Sequence, residues 1–289
     1  MKKITAFIFI TFAIFSAHSF DWPQEEVIQS DQFYSYFGQL RGDTISNSLI
    51  FSEPSEIKSA DKGTLEIFIK EFNDNTDFFP STLGNAIIVA HSDNLLTVYG
   101  NIDYDTINTE LLKSSETIES GTIFGKSGNS AWQQGRSSLE FQVIDTKNNT
   151  AINPRLLMPR VGKELPLYYN EVVLQNKNGR QYNVSTQSTL PSGTYKVYKK
   201  RQAVAAPYKT RVAINGTVVD QISYDLLRQE DFQICISGKK NYSKNVLYPN
   251  SELQLLGETT LTSGKNALQL TLIDILGKET YATYMLSIY

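Results

Sequence analysis

Disulfide bonds are excluded first: one cysteine, Cys235, occurs among 289 residues, so no intramolecular crosslink can form. Cys235 lies in the alternating run FQICISG, where a buried apolar role is expected. Histidine is nearly as scarce, with two in the chain, His18 and His91. Catalytic zinc needs about three ligands from His, Asp, Glu or Cys plus an open position, so histidine-rich metal chemistry is excluded. Charge of either sign lacks an excess: 27 Lys and Arg against 30 Asp and Glu leave a net −3. A nucleic-acid partner is not expected from that balance. No repeat, heptad or low-complexity tract appears.

Long apolar runs are also missing, except at the start. Lys2 and Lys3 precede ITAFIFITFAIFSA, and Ala17-His18-Ser19 offers small residues ahead of a cleavage point. We read residues 1–19 as a signal peptide, with an uncleaved anchor as the alternative. The run is too short for a convincing span, so no membrane span is expected after cleavage. A lipoprotein is not expected either, because no cysteine lies near the cleavage point. The expected location is periplasmic or secreted, in the cell envelope.

What is present favours β-structure: 16 Tyr and 15 Phe, with Thr, Ile and Val recurring in short runs. TLEIFIKEF, NAIIVAH, LLTVYGNI, SLEFQVID, EVVLQN, TYKVYKK, RVAING, FQICISG, ALQLTLID and TYMLSIY read as strands separated by Gly, Asn, Asp or Pro. Residues 105–115, DTINTELLKSS, offer about two helical turns, with Asp105 or Thr106 as a cap. NPRLLMPRVG brackets the end of one strand group, which places a boundary near residue 162. The expected domains are 20–162 and 163–289, the second an immunoglobulin-like β-sandwich with turns NKNG, LPSG, INGT and TSGKN.

Four segments carry a resemblance. They are WPQEEVIQSDQFYSYFGQLR (22–41), IKSADKGTL (57–65), GNAIIVAHSDNLLTVYGNI (84–102), and SGTIFGKSGNS (120–130) followed by SSLEFQVIDTKNNTAINPRLLM. In this order they resemble the lysostaphin/LytM-like family of zinc murein endopeptidases. The resemblance implies a mainly β fold, with a LytM-like antiparallel domain preceding the sandwich. By the family's spacing, its three zinc ligands fall on Thr44, Ser48 and Glu140, and its two further catalytic histidines on Asn101 and Ser138. All five positions are substituted, and neutral hydroxyls on Thr44 and Ser48 cannot hold zinc. The resemblance therefore implies a degenerate cleft with no catalytic residues, metal or cofactor. Its floor is expected to place Asn101, Ser138 and Glu140 together, with Glu140 partly exposed as their one charge.

His91 matches a non-ligand position and is expected to flank a turn, hydrogen-bonding locally. Arg41-Gly42-Asp43 spells an adhesion tripeptide but overlaps the family's turn, so a turn role is expected. KVYKKRQ (196–202) reads as a solvated strand end, or else as an anionic-polymer contact. Asn148-Asn149-Thr150 reads as a polar turn in preference to a glycosylation acceptor.

The expected function is a non-catalytic, envelope-associated binding or regulatory protein. Its partners would be a peptidoglycan peptide or a cell-wall hydrolase. The alternatives are an active murein metalloendopeptidase with an unconventional site, or a purely structural envelope protein.

Overall fold

The computed structural model describes residues 20–25, 29–71, 81–111, 117–130 and 138–289. The signal peptide expected over 1–19 lies outside these residues. Among them no helix is long and apolar enough to cross a membrane.

The chain is mainly β. In the first half, the hairpin Ala86–Ala90 with Leu95–Gly100 stands between Gly63–Ile69 on one side and Glu140–Asp145 on the other. Alternation decides what is buried: side chains point to opposite faces at each step, so both faces here must be covered where a run is apolar throughout. Val98, Tyr99, Phe141 and Val143 are all buried. Tyr99 sits edge-on to Phe124, with ring centroids 4.9 Å apart, and 5.2 Å from Phe141. Phe20, Trp22, Phe33 and Phe51 complete this aromatic core.

The second half is two sheets facing one another. One is the antiparallel set Gln181–Asn183, Val172–Asn176, Gly193–Lys200 and Leu253–Leu261. The other contains Lys209–Ile214, Thr217–Glu230, Gly264–Ile273 and Glu279–Ile288. Leu174, Val197 and Leu256 meet Val212, Leu268, Leu270 and Leu286 between them.

The two halves are joined in three ways. Thr150–Ile152 pairs with Arg228, Leu227 and Leu226, so one sheet of fifteen described strands runs through both. Arg155, 7% exposed, forms a buried ion pair with Glu164 across the connecting segment. Phe37 and Ile45 pack with Tyr198, Ile222, Tyr224 and Tyr248 in a third core cluster. Val161 is the last buried member of the first cluster and Leu167 the first of the second.

Each of the ten expected runs contains a strand. The helix expected over 105–115 is corrected for its described part: a single 3-10 turn, Tyr104–Thr106, stands there. Its cap is Asp103, whose carboxylate accepts from the Asp105 amide at 3.2 Å, and not Asp105 or Thr106. Residues 112–116 lie outside the described set. Several strands fall outside those runs, among them Thr150–Ile152 and Leu253–Leu261. Thr217–Glu230 is a fourteen-residue strand whose buried Asp220 breaks the apolar pattern.

Candidate functional site

The site begins at a turn. Leu40–Arg41 pairs with Thr44–Ile45 through the two residues Gly42 and Asp43, and Gly42 holds φ +57°. Glycine in left-handed backbone at the first turn position suits a tight hairpin. The hairpin is seated on the second half. The Tyr248 hydroxyl donates to the Gly38 carbonyl at 2.7 Å, and Lys244 bonds Asp43 at 2.5 Å. That contact holds the Asp43 carboxyl below the usual carboxylate range. Gly38 itself has φ +82°, and a Cβ there would lie 2.4 Å from a Tyr224 ring carbon.

So held, Arg41 reaches Glu140. The Glu140 side chain is 2% exposed, and an isolated carboxylate at that depth would be strongly disfavoured. Arg41 answers with a two-pronged contact: Nη1 donates to Oε1 at 2.6 Å and Nη2 to Oε2 at 2.8 Å. Nη1 also donates to Ser48 Oγ at 2.9 Å. Gln142 Nε2 donates to Glu140 Oε1 at 3.3 Å, and Asn47 Nδ2 to Gln142 Oε1 at 3.2 Å. The chain of contacts is thus Asn47, Gln142, Glu140, Arg41 and Ser48. Planar, two-pronged guanidinium–carboxylate pairs are the strong form of this interaction.

Beside this pair lies an open cavity of about 540 Å³, lined by Arg41, Thr44, Ile45, Leu83, Gln142 and Ile234, with Glu140 at its base. Ile234 comes from the second half, so both halves build the wall.

The structure places the five expected cleft residues as follows. Thr44 is exposed and lines the cavity with Glu140. Ser48 is fully buried and joined to Glu140 through Arg41. Asn101 and Ser138 are fully buried and tied to each other, but they do not line that cavity. Asn101 Nδ2 donates to the Ser138 carbonyl at 2.7 Å, and its Oδ1 accepts from the Ser130 amide at 2.8 Å. Its amide is therefore spent on holding backbone, with φ +62°. The expectation that Glu140 is partly exposed is corrected: it is buried, because its carboxylate is satisfied from within. Sequence reasoning also missed Arg41 as a site residue. The available signal was a glutamate inside the apolar run SLEFQVID, which demands a cation.

His91 is locked. Its Nδ1 lies 2.8 Å from the Lys62 carbonyl, which can only accept, and its Nε2 lies 2.7 Å from the Thr97 hydroxyl. The Phe20 ring packs 5.1 Å from its ring. In Arg41-Gly42-Asp43, the first and last side chains are held by Glu140 and Lys244, and the tripeptide forms the hairpin turn.

The zinc that the family resemblance implies can be tested against these donors. Thr44 and Ser48 offer neutral hydroxyls, and both oxygens of Glu140 face a guanidinium. A divalent cation there would confront Arg41. The residues do not fit the metal.

The model described as peptidase family M23 matches residues 48–154. A second family model, carrying no description, matches residues 166–289. An uncharacterized protein of Treponema pallidum (strain Nichols) is 32% identical over 120 residues, covering 39% of this chain and 78% of the relative. Among solved structures, the SpoIIQ–SpoIIIAH pore-forming complex aligns with TM-score 0.35 and 16% identity, over 51% of this chain and 95% of that one. The catalytic domain of EnpA, a prophage-encoded M23 protein from Enterococcus faecalis, aligns with TM-score 0.33 and 22% identity, over 42% and 87%.

Proposed function

The chain belongs to peptidase family M23 through residues 48–154, and from that premise we propose a non-catalytic envelope protein built on a peptidase scaffold. The reading is a periplasmic or secreted binding or regulatory protein, whose groove takes a peptidoglycan peptide or a segment of a cell-wall hydrolase. The observation that supports it is the Arg41–Glu140 pair with Ser48 on the same guanidinium. Ser48 and Glu140, which the resemblance sets at two zinc-ligand positions, are instead both bound by the Arg41 guanidinium, which with Glu140 forms an internal ion pair. Such a centre is already neutral, so it neither recruits a metal nor acidifies water. In this reading residues 20–162 and 163–289 are two units, the second an immunoglobulin-like module that adds Ile234 to the groove wall.

Thr44, Ser48, Asn101, Ser138 and Glu140 have distinct roles in this proposal. Thr44 and Gln142 offer polar contacts at the groove surface, and Glu140 with Ser48 fixes Arg41 beneath it. Asn101 and Ser138 hold the neighbouring backbone. Incubation of the purified protein with intact sacculi tests the reading. Retention on sacculi without release of soluble fragments is expected. Solubilisation that a chelator abolishes would establish a working metalloendopeptidase instead.

A further inference from the structure

Two surface features lie outside the cavity above, the second sharing with it the residues Arg41 and Gly42. The first is the turn that joins Thr217–Glu230 to Gln233–Ser237, across which Glu230 faces Gln233. Asp231 and Phe232 form it, both in left-handed backbone at φ +46° and +62°. Glycine and asparagine suit such a turn, whereas a bulky aromatic is a strained occupant. Phe232 is nevertheless 97% exposed. Glu230 and Asp231 beside it are exposed and, among the described residues, form no ion pair. The tip is an aromatic knob with a collar of two carboxylates.

The second feature is a cavity of about 660 Å³ between the halves. Its apolar wall includes Phe33, Leu165 and, at the rim, Tyr34 and Val204, which are 47% and 63% exposed. Arg201 opens onto it and ends the basic run KVYKKR, with Lys200 exposed beside it. The Arg201 Nε donates to the Ser251 carbonyl at 3.1 Å, and no carboxylate among the described residues pairs with it. Asp31 also lines the cavity but forms no ion pair with Arg201. A ring and its collar therefore have a complementary seat: apolar walls with a basic edge.

We propose that the knob of one copy enters the cavity of a second copy, seating Phe232 against the apolar wall with Glu230 and Asp231 facing Arg201 and Lys200. The collar selects this occupant over a membrane, because paired carboxylates are repelled by anionic headgroups. Knob and cavity are different surfaces, so the contact is head-to-tail, and the dimer keeps one free knob on one copy and one free cavity on the other.

Sedimentation velocity of the purified protein over rising concentration tests this. The wild type is expected to form dimers and then larger species. Phe232→Ala, which removes the knob, and Arg201→Glu, which reverses the seat, should each weaken association at least about tenfold. An equimolar mixture of these two variants should form a dimer and stop there, since one intact knob meets one intact cavity. Circular dichroism establishes that each variant is folded, and Glu230→Lys with Asp231→Lys serves as a second knob variant. A wild type that stays monomeric overturns the proposal. So does a variant that associates like wild type, a mixture that stays monomeric, or binding of the wild type to phosphatidylglycerol vesicles without self-association.

Discussion

Glu140 is buried, and its carboxylate stays there because Arg41 meets both oxygens. Removing one member of a buried pair leaves the other charge unanswered, at a cost of about 3–5 kcal/mol. Glu140→Ala and Arg41→Ala should each lose stability on that scale in urea unfolding. Arg41→Met with Glu140→Leu together should recover most of it, since no charge is then stranded. Lys199 is the opposite case. It is fully buried, its ammonium donates to the Lys200 carbonyl at 3.2 Å, and burial pushes its pKa from 10.5 down to about 8. Between these values the unfolded chain holds the proton that the folded chain has released, so stability rises with pH. Below about pH 8 the penalty is fully present. Lys199→Met should raise the unfolding midpoint at pH 7 and flatten the rise from pH 8 to 10. Above pH 10 the buried tyrosines reverse the trend. Burial raises Tyr224 to about 12, so the folded chain keeps a proton that the unfolded chain loses. At this scale the family's spacing pointed to Ser48 and Glu140, both of which contact Arg41. It did not bring out Arg41, whose role depends on a partner 99 positions away.

Turns decide the next scale. The Arg41 hairpin works because Gly38 permits both a left-handed backbone and the close approach of Tyr224. Gly38→Ala should cost more than about 1 kcal/mol, since the backbone strain and the 2.4 Å contact act together. Phe232 invites the reverse change. Phe232→Gly should gain roughly 1 kcal/mol by releasing a strained φ, measured by the same urea midpoint. Strands were legible where alternation was clean, as in Leu268, Leu270 and Leu272, all facing the sandwich core. Thr217–Glu230 was not, because Asp220 sits inside it and is satisfied at a distance. Its carboxylate accepts from the Tyr242 hydroxyl at 2.5 Å and the Glu258 amide at 2.7 Å. The short helix expected after Asp105 failed for a local reason. Asp103 caps one tight turn, and Ile107 leaves it with extended backbone.

Across the whole molecule, the two halves share a sheet, a buried Arg155–Glu164 pair and the tyrosine-rich cluster under the Arg41 hairpin. These ties should make unfolding a single transition by both circular dichroism and tryptophan fluorescence. Two separate midpoints would mean that the halves hold their structure independently. The docking of the halves was not legible in the sequence, because its contacts join residues some 200 positions apart, such as Gly38 and Tyr248. That docking holds the Arg41 guanidinium against Glu140, which the family resemblance sets at a zinc-ligand position. Titration of the purified protein with zinc, followed by elemental analysis after gel filtration, tests it most directly. Well below one zinc per chain is expected, even under zinc excess. About one tightly held zinc per chain, lost to a chelator, would contradict it.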